Sequence, residues 1–410
     1  MRINEYVDQV CNQIRWKKAR PRVAEELTAH ITDSRDALIA QGIDENAATA
    51  AAIAHTGDAA LLGADFDRVH RPRPQWGMLA AMAGFVLLGL LSSVFVHGVD
   101  IDGLRIFSIV LGVALMIVAY FVDFTIFGKL RRLLYTCGIL ILFSLPSFTL
   151  LFPLAFAGFV FVRRDKGLKG IIDCTVIYVL LCIVALAPSF RFTTYFFYVQ
   201  ITGCAIFIAA HVKGWFGAGK ITGAIPIGIS SAALAIFGVI QTGTGRMSAA
   251  INPALDPLGF GFMGTQVRQM LRGAVLLGQG TATGQFLPPR ALHSDLLLTT
   301  VIYRFGWIPF AIIICAIAAF IFAGFSRCFK QKSHLGFFVS FAIMVTFTVQ
   351  TVMYVAYNLG FLFTVISLPF ISPGNGMMIM NLLLAGFMLS VFRTGGAARD
   401  GDFSGVKVEG

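Results

Sequence analysis

The sequence has too few charged residues for a soluble protein of its length. Of its 410 residues, 13% are charged and 57% are hydrophobic, and the mean hydropathy is +0.79. The surface of a soluble domain needs about a quarter of its residues charged. Long apolar runs must therefore face lipid, and the composition predicts an integral membrane protein.

The cysteines lack the spacing of a disulfide framework or a zinc site. The seven cysteines lie singly, with no Cys-x-x-Cys pair and no cluster with histidine. The identity of any bound metal therefore cannot be read from the sequence. The chain also begins without an apolar h-region, so we expect no cleaved signal peptide and a cytoplasmic N-terminus.

Acidic residues are scarce beyond the first 75 positions. Residues 1–75 contain 10 Lys/Arg and 11 Asp/Glu, whereas residues 76–410 contain 22 and 10. The basic residues lie mainly in short loops between apolar runs, where the positive-inside rule explains them better than nucleic acid does. We therefore expect contact with membrane lipids and no nucleic-acid partner.

Residues 1–70 are predicted to form a small cytoplasmic helical domain. Val7, Val10 and Ile14 recur near helical spacing, and Asp44 stands where an N-cap belongs. A regulatory or partner-docking domain and a passive cap both remain open. A basic linker at 71–76 leads into the membrane domain, 77–393, and a disordered cytoplasmic tail is expected at 394–410.

The fold class is therefore all-α, a polytopic membrane protein with about ten transmembrane helices. The candidate helices are apolar runs at about 77–97, 105–126, 133–147, 149–162, 171–189, 195–212, 221–241, 295–325, 335–357 and 376–392. With both termini inside, four cytoplasmic loops contain twelve basic residues, whereas the short outer loops contain few, such as Arg105 and Arg191. The twelve are Lys129, Arg131, Arg132, Arg163, Arg164, Lys166, Lys169, Lys213, Lys220, Arg327, Lys330 and Lys332.

One outer connection, 242–294, is far longer than the other loops, and such loops are more often functional than idle. Within it, apolar residues from Phe262 to Val275 follow one helix face, and Arg268 and Arg272 follow another. We expect an interfacial amphipathic helix that presents two guanidinium groups near the outer leaflet. The alternative is that these arginines simply reach for water.

Asp295 is the acidic residue that most suggests chemistry. It opens an apolar helix where that helix would meet a wet outer cavity, and burial there would suit it to general-base work. The alternative, which the spacing favours, is an N-cap that complements the helix dipole.

Three segments resemble signature segments of the SEDS family, the RodA/FtsW/SpoVE proteins. They are "NPALDPLGFGFMGTQ" (252–266), "LLGQGTATGQFLP" with "HSD" (276–295), and "QTVMYVAYNLG" with "SLPFISPGNGMMIMN" (350–381). The resemblance covers about 77–393. It implies a ten-helix membrane glycosyltransferase that polymerises lipid II at the outer face of the bacterial cytoplasmic membrane. It also implies a class B penicillin-binding protein as transpeptidase partner, in cell shape, division or sporulation.

The resemblance also implies roles for individual residues. The family's "HTD" motif falls on His293, Ser294 and Asp295, and makes Asp295 the essential aspartate. Asp256 falls in the "DPxGxG" motif. The family's "LPFxSxG" re-entrant segment falls on a stretch that includes Pro369, Ser372 and Gly374.

For an active member, the implied reaction is an inverting glycosyl transfer. Asp295 would deprotonate the acceptor's 4-hydroxyl, which attacks the donor's anomeric carbon and releases undecaprenyl pyrophosphate. Arginines or a divalent cation, Mg²⁺ or Mn²⁺, would stabilise the departing pyrophosphate. The candidate clamp residues are Arg268, Arg272, Arg290 and Arg304.

Departures from the family pattern leave two other functions open. The family's "PEAHTD" is "PPRALHSD" here, which lacks the glutamate, and Tyr303 and Arg304 stand where acids are expected. A lipid-linked precursor flippase is one alternative, although we find no inverted repeat. A non-catalytic scaffold for a cell-wall enzyme is the other.

Overall fold

The computed structural model describes nine stretches of the chain. They are 2–17, 19–71, 74–97, 103–122, 146–185, 192–217, 219–281, 295–361 and 365–394. These residues form helices, turns and irregular segments, without a β-strand among them. Most of the described chain divides into two compact units, one running up to Pro74 and the other over Gln75–Phe392.

The first unit contains four helices in the part that the structure describes: α1 (Ile3–Gln13), α2 (Arg20–Ala40), α3 (Glu45–Thr56) and α4 (Ala59–His70). Its core is the apolar face that the sequence predicts, with Val10, Ile14 and Ile31 fully buried. As predicted, Asp44 caps α3 by accepting a hydrogen bond from the Asn46 amide at 3.1 Å.

The second unit contains twelve helices among its described residues. They are α5 (Trp76–His97), α6 (Gly103–Phe121), α7 (Phe152–Val162), α8 (Gly167–Val184), α9 (Phe192–Val212), α10 (Lys220–Thr242), α11 (Thr244–Ile251), α12 (Phe262–Arg272), α13 (Leu297–Phe305), α14 (Trp307–Phe329), α15 (His334–Asn358) and α16 (Asn375–Thr394). Two 3₁₀ turns, Pro146–Leu151 and Pro253–Leu255, precede α7 and follow α11.

Six helices of the described chain are long and apolar enough to cross a membrane: α6, α9, α10, α14, α15 and α16. Eight of the ten predicted runs each overlap one helix of the structure, and three of these eight, 77–97, 149–162 and 171–189, correspond to α5, α7 and α8, which are not among the six. The other two runs are exceptions. The run at 133–147 lies outside the described residues except for its last two positions. The run at 295–325 is not one helix but two, because Gly306, at φ 98°, ends α13 before α14 begins.

Helix α15 is the most buried of these six helices, since 83% of its apolar 18-residue stretch is buried inside the second unit. It packs against α7, α9, α13 and α14. In contrast, only 17% of the corresponding 18-residue stretch of α14 is buried, so most of that helix faces outward. The C-terminal end of α15 is therefore a fixed point on which shorter elements are built.

Candidate functional site

The candidate site lies where α12, the start of α13 and the end of α15 meet. Leu296 is fully buried and packs against Val267 of α12, and Met263, Leu271 and Tyr357 complete this cluster. Asp295 directly precedes Leu296. The packing therefore brings the predicted aspartate next to the helix that carries Arg268 and Arg272.

Asp295 is half-buried in the turn before α13. The N-cap of α13 is Leu296, and no side chain of its own caps the helix. The alternative in which Asp295 is the N-cap is therefore wrong. Its carboxylate makes no hydrogen bond or ion pair with another described residue, whereas its backbone carbonyl accepts from Asn358 Nδ2 at 2.9 Å.

An open pocket of about 470 Å³ lies along α12. Its lining combines two arginines with apolar residues from three elements: Ile251, Arg268, Leu271, Arg272, Leu359 and Phe361. The predicted amphipathic helix is thus present as α12, with Val267 and Met270 buried and Arg272 exposed.

The two arginines of the pocket are not equivalent. Arg268 Nη2 donates to the carbonyls of Ile251, at 2.7 Å, and Gly360, at 3.3 Å. Its guanidinium also lies 5.9 Å from the Phe361 ring centre. Arg272, one turn later, makes no hydrogen bond or ion pair within the described residues. Arg272 is therefore the pocket arginine that can bind an anion, whereas Arg268 holds the segments around Ile251 and Gly360 together.

Arg304 does not line this pocket. It is exposed in the last turn of α13, about 10 Å of helix rise from Leu297, where α13 begins. Arg290, His293 and Ser294, the remaining predicted site residues of this region, lie outside the described residues.

Asp256 organises its own loop. Its carboxylate oxygens accept from the amides of Gly259, at 3.0 Å, and Phe260, at 2.8 Å. A Cβ at Gly261 would lie 2.1 Å from the Pro253 carbonyl, so this position needs glycine. The predicted substrate-binding residue thus has both oxygens engaged by backbone.

Two glycines within the long outer connection hold the junction between α13 and α14. Gly278 and Gly280 donate backbone hydrogen bonds to the carbonyls of Phe305, at 3.0 Å, and Tyr303, at 2.7 Å. A Cβ on Gly306 would lie 2.5 Å from the Leu276 carbonyl. This segment therefore fixes the helix break, and with it the end of α13.

The segment 365–374 is non-helical between α15 and α16, as the family resemblance implies. Pro369 and Ser372 are buried in it, and Ser372 Oγ donates to the Leu368 carbonyl at 3.3 Å. Phe370 adopts a positive φ of 64° and packs 5.2 Å from Phe347. Gly374, half-buried, leads into α16.

Arg105 holds this segment from α6. The prediction of Arg105 in a short outer loop is wrong, because the residue is 6% exposed within α6. Its Nη2 donates to the carbonyls of Gly89, at 2.5 Å, and Ile371, at 3.5 Å. The contacts of segment 365–374 therefore run to α5 and α6, and to the aromatic side chains of α14 and α15.

The described residues do not fit a preformed metal site. No group of three or more His, Cys, Asp or Glu side chains lies together in the part of the chain that the structure describes. Of the two predicted site aspartates, Asp256 already accepts two backbone hydrogen bonds. Only Asp295 has a carboxylate without a hydrogen bond to another described residue. One carboxylate is too few for a protein-made site for a divalent cation.

Sequence comparison matches most of the second unit to known proteins. The family model for the cell cycle proteins FtsW, RodA and SpoVE matches residues 150–395. A probable peptidoglycan glycosyltransferase FtsW from Trichlorobacter lovleyi is 27% identical over 150 residues, and one from Geobacter metallireducens is 29% identical over 150 residues. These matches cover 36% of this chain and only 39% and 40% of the relatives, well under half of their length.

Solved structures share the fold over a longer stretch. A chain of a peptidoglycan synthase complex that coordinates polymerization and crosslinking superposes with a TM-score of 0.58, at 16% identity, covering 78% of this chain and 98% of that chain. The rod shape determining protein RodA of Thermus thermophilus gives a TM-score of 0.52, at 14% identity, covering 78% and 97%. At these identities the likeness concerns the fold.

Proposed function

Because the chain belongs to the FtsW/RodA/SpoVE family of cell cycle proteins, we propose that it is a peptidoglycan glycosyltransferase. It polymerises lipid II at the outer face of the cytoplasmic membrane. The observation that carries this proposal is the state of Asp295, whose backbone is anchored to α15 while its carboxylate is left without a partner among the described residues.

In this proposal Asp295 is the general base. Its carboxylate takes the proton from the 4-hydroxyl of the acceptor sugar as that oxygen attacks the donor's anomeric carbon. The bond from the anomeric carbon to the pyrophosphate oxygen breaks on the opposite face, so configuration inverts and undecaprenyl pyrophosphate departs. A half-buried carboxylate is a suitable base here because it sits between water and the apolar cluster around Leu296.

Arg272 is the proposed contact for the pyrophosphate. It is exposed on the pocket wall one helical turn from Arg268, which is committed to backbone carbonyls. A guanidinium can hold two phosphate oxygens with charge-assisted hydrogen bonds. The apolar part of the pocket, Leu271, Leu359 and Phe361, suits the lipid end of the substrate.

We also propose a class B penicillin-binding protein as the transpeptidase partner. One structure that shares this fold comes from a peptidoglycan synthase complex. Only 17% of the apolar 18-residue stretch of α14 is buried. This long helix therefore offers a face on which a partner's membrane helix could pack.

Labelled lipid II and the purified full-length protein test the proposal. We expect polymer from the unaltered protein, with the partner transpeptidase present, and none from Asp295→Asn at unchanged thermal stability. Asp173→Asn is the matched control, since Asp173 pairs with Arg163 at 3.1 Å away from this site. Parallel reactions with Mg²⁺ and with EDTA report any need for a divalent cation.

Two outcomes would contradict the proposal. If Asp295→Asn makes polymer at the normal rate, Asp295 is not the general base. No polymer from the unaltered protein, with or without the transpeptidase, supports the scaffold alternative, which the tyrosine and arginine at 303 and 304 favour.

A further inference from the structure

Helix α13 begins without a cap of its own. The first N–H groups of an α-helix have no intrahelical acceptor and normally take one from the N-cap side chain. Here the N-cap is Leu296, whose side chain cannot accept. The first backbone bond of the helix runs from the Thr300 amide to the Leu296 carbonyl, at 2.9 Å. The amides of residues 297–299 therefore need acceptors from elsewhere.

Helix α15 supplies two of these acceptors. The Leu297 amide donates to Tyr354 Oη at 3.3 Å, and the Thr299 amide donates to Asn358 Oδ1 at 2.9 Å. Thr299 Oγ1 adds a bond to the Asn358 carbonyl at 2.8 Å. Asn358, Thr299 and Tyr354 are all fully buried, so these bonds are shielded from water.

Asn358 also holds the peptide of Asp295. Its Nδ2 donates to the Asp295 carbonyl and to the Tyr354 carbonyl, each at 2.9 Å. Its Oδ1 accepts from the Thr299 amide. The single Thr299 hydroxyl hydrogen goes to the Asn358 backbone carbonyl, at 2.8 Å, rather than to Oδ1, at 3.1 Å. Both donors of this side-chain amide and at least one of its acceptor positions are therefore used. Exchanging the amide oxygen and nitrogen would turn Nδ2 toward the Thr299 N–H, so this buried amide adopts one orientation only.

We propose that Asn358 is the positioning residue for Asp295 in the reaction of the preceding subsection, on which this inference rests. By capping α13 from α15, Asn358 takes over the task that an aspartate just before a helix usually performs. By fixing the Asp295 carbonyl, it sets the direction of the Asp295 side chain. The carboxylate is thereby left for proton transfer and aimed by a residue 63 positions away.

The geometry requires an asparagine. Aspartate has the acceptors but not the donors that reach the carbonyls of Asp295 and Tyr354. Glutamine is one methylene longer, which a fully buried and filled position does not accommodate. Leucine matches the shape but leaves the Thr299 amide and the Asp295 carbonyl unpaired.

Isosteric substitutions at two buried amides of α15 test the inference. Asn358→Leu removes the proposed positioning contacts. Gln350→Met is the matched control, because Gln350 is equally buried on the same helix and pairs with Asn381 at 3.0 and 3.2 Å, away from Asp295. Thr299→Val, a third variant, loosens the contact from the α13 side and is informative even if Asn358→Leu does not fold.

The measurements are the thermal midpoint, and kcat and KM for lipid II polymerisation by the full-length protein. We expect both α15 variants to lose stability, but only Asn358→Leu to lose kcat, by about 10²-fold with KM little changed. Thr299→Val should lose kcat in the same direction, by about tenfold or less, because its amide still bonds to Asn358.

The inference is overturned if Asn358→Leu and Gln350→Met lower kcat equally, or if Thr299→Val keeps full kcat. Asp295→Asn separates this from a failure of the proposed function. If Asp295→Asn is inactive while the Asn358 and Thr299 variants keep kcat, the general base stands and only the positioning role of Asn358 is wrong.

Discussion

Two arginines four positions apart, Arg268 and Arg272, have different roles in this protein. The sequence treats Arg268 and Arg272 alike, as a basic face of α12. The structure commits Arg268 to the carbonyls of Ile251 and Gly360 and leaves Arg272 exposed on the pocket wall. A guanidinium that already holds backbone carbonyls stabilises the pocket, and one that does not can bind an anion.

Substitution by alanine should therefore lower mainly the stability at Arg268 and mainly lipid II binding at Arg272. Arg268→Ala is expected to destabilise the protein by about 1.5–3 kcal/mol, the usual loss for hydrogen bonds to a charged group. Arg272→Ala is expected to change stability by less than about 0.5 kcal/mol and to weaken lipid II binding about tenfold. Thermal denaturation in detergent and a lipid II binding titration measure the two quantities. Equal stability losses would contradict the division.

Asp295 and Asn358 show what a residue's chemistry reveals in advance. Asp295 can be found from the sequence because acids are few in the membrane part and each one is conspicuous. Asn358 cannot, because a lone asparagine at the end of an apolar helix has the same sequence signal whether it faces solvent or caps another helix. Its role depends on Thr299, 59 positions earlier, and only packing brings the two together.

At the scale of the helix, the clearest difference between expectation and structure is the break at Gly306. An apolar run of this length predicts one helix across 295–325. The glycine instead adopts φ 98°, where the Leu276 carbonyl leaves no room for a side chain. The short helix α13 is thereby freed to dock its N-terminus on α15.

Close approach of helix α5 to the segment 365–374 gives a second test at this scale. A Cβ at Gly89 would lie 2.4 Å from the Ile371 carbonyl, whereas one at Gly84 on the same helix meets nothing within 4 Å. We expect Gly89→Ala to destabilise the protein by about 1–3 kcal/mol through overpacking. Gly84→Ala should be neutral or stabilise by up to about 1 kcal/mol.

Thermal midpoints of the two alanine variants, compared with the unaltered protein, measure this difference. Because Arg105 shares the Gly89 and Ile371 carbonyls, Gly89→Ala should also displace that buried guanidinium. Equal midpoints for the two variants would mean that α5 and segment 365–374 are not in contact at Gly89.

For the molecule as a whole, the distribution of basic residues predicts the orientation in the membrane. Six helices of the described chain can cross a membrane, and the family match runs through 150–395. The protein is therefore a multi-pass membrane protein. The sides of its loops follow from the positive-inside rule and stay a prediction.

Cysteine labelling of intact cells tests that orientation. Leu258 is 91% exposed in the predicted outer loop, and Lys330 is exposed in a predicted cytoplasmic loop. A membrane-impermeant maleimide should label Leu258→Cys in intact cells and Lys330→Cys only after permeabilisation. The unaltered chain is the necessary blank, because Cys315 is exposed and Cys204 half-buried, whereas the other four described cysteines are buried. The reverse pattern would invert the topology.

The sequence by itself determined the class of protein and most of its helices, and it predicted Asp295 as the candidate base. These are consequences of composition and local pattern: apolar runs need lipid around them, and a carboxylate among them stands out. The tertiary structure alone decided which polar groups are occupied and which are available. Asp256, Arg268 and Arg105 bind backbone, whereas Asp295 and Arg272 do not, among the described residues. That division depends on carbonyls and amides brought close by packing, because a hydrogen bond needs a partner within about 3 Å and the sequence does not contain that distance.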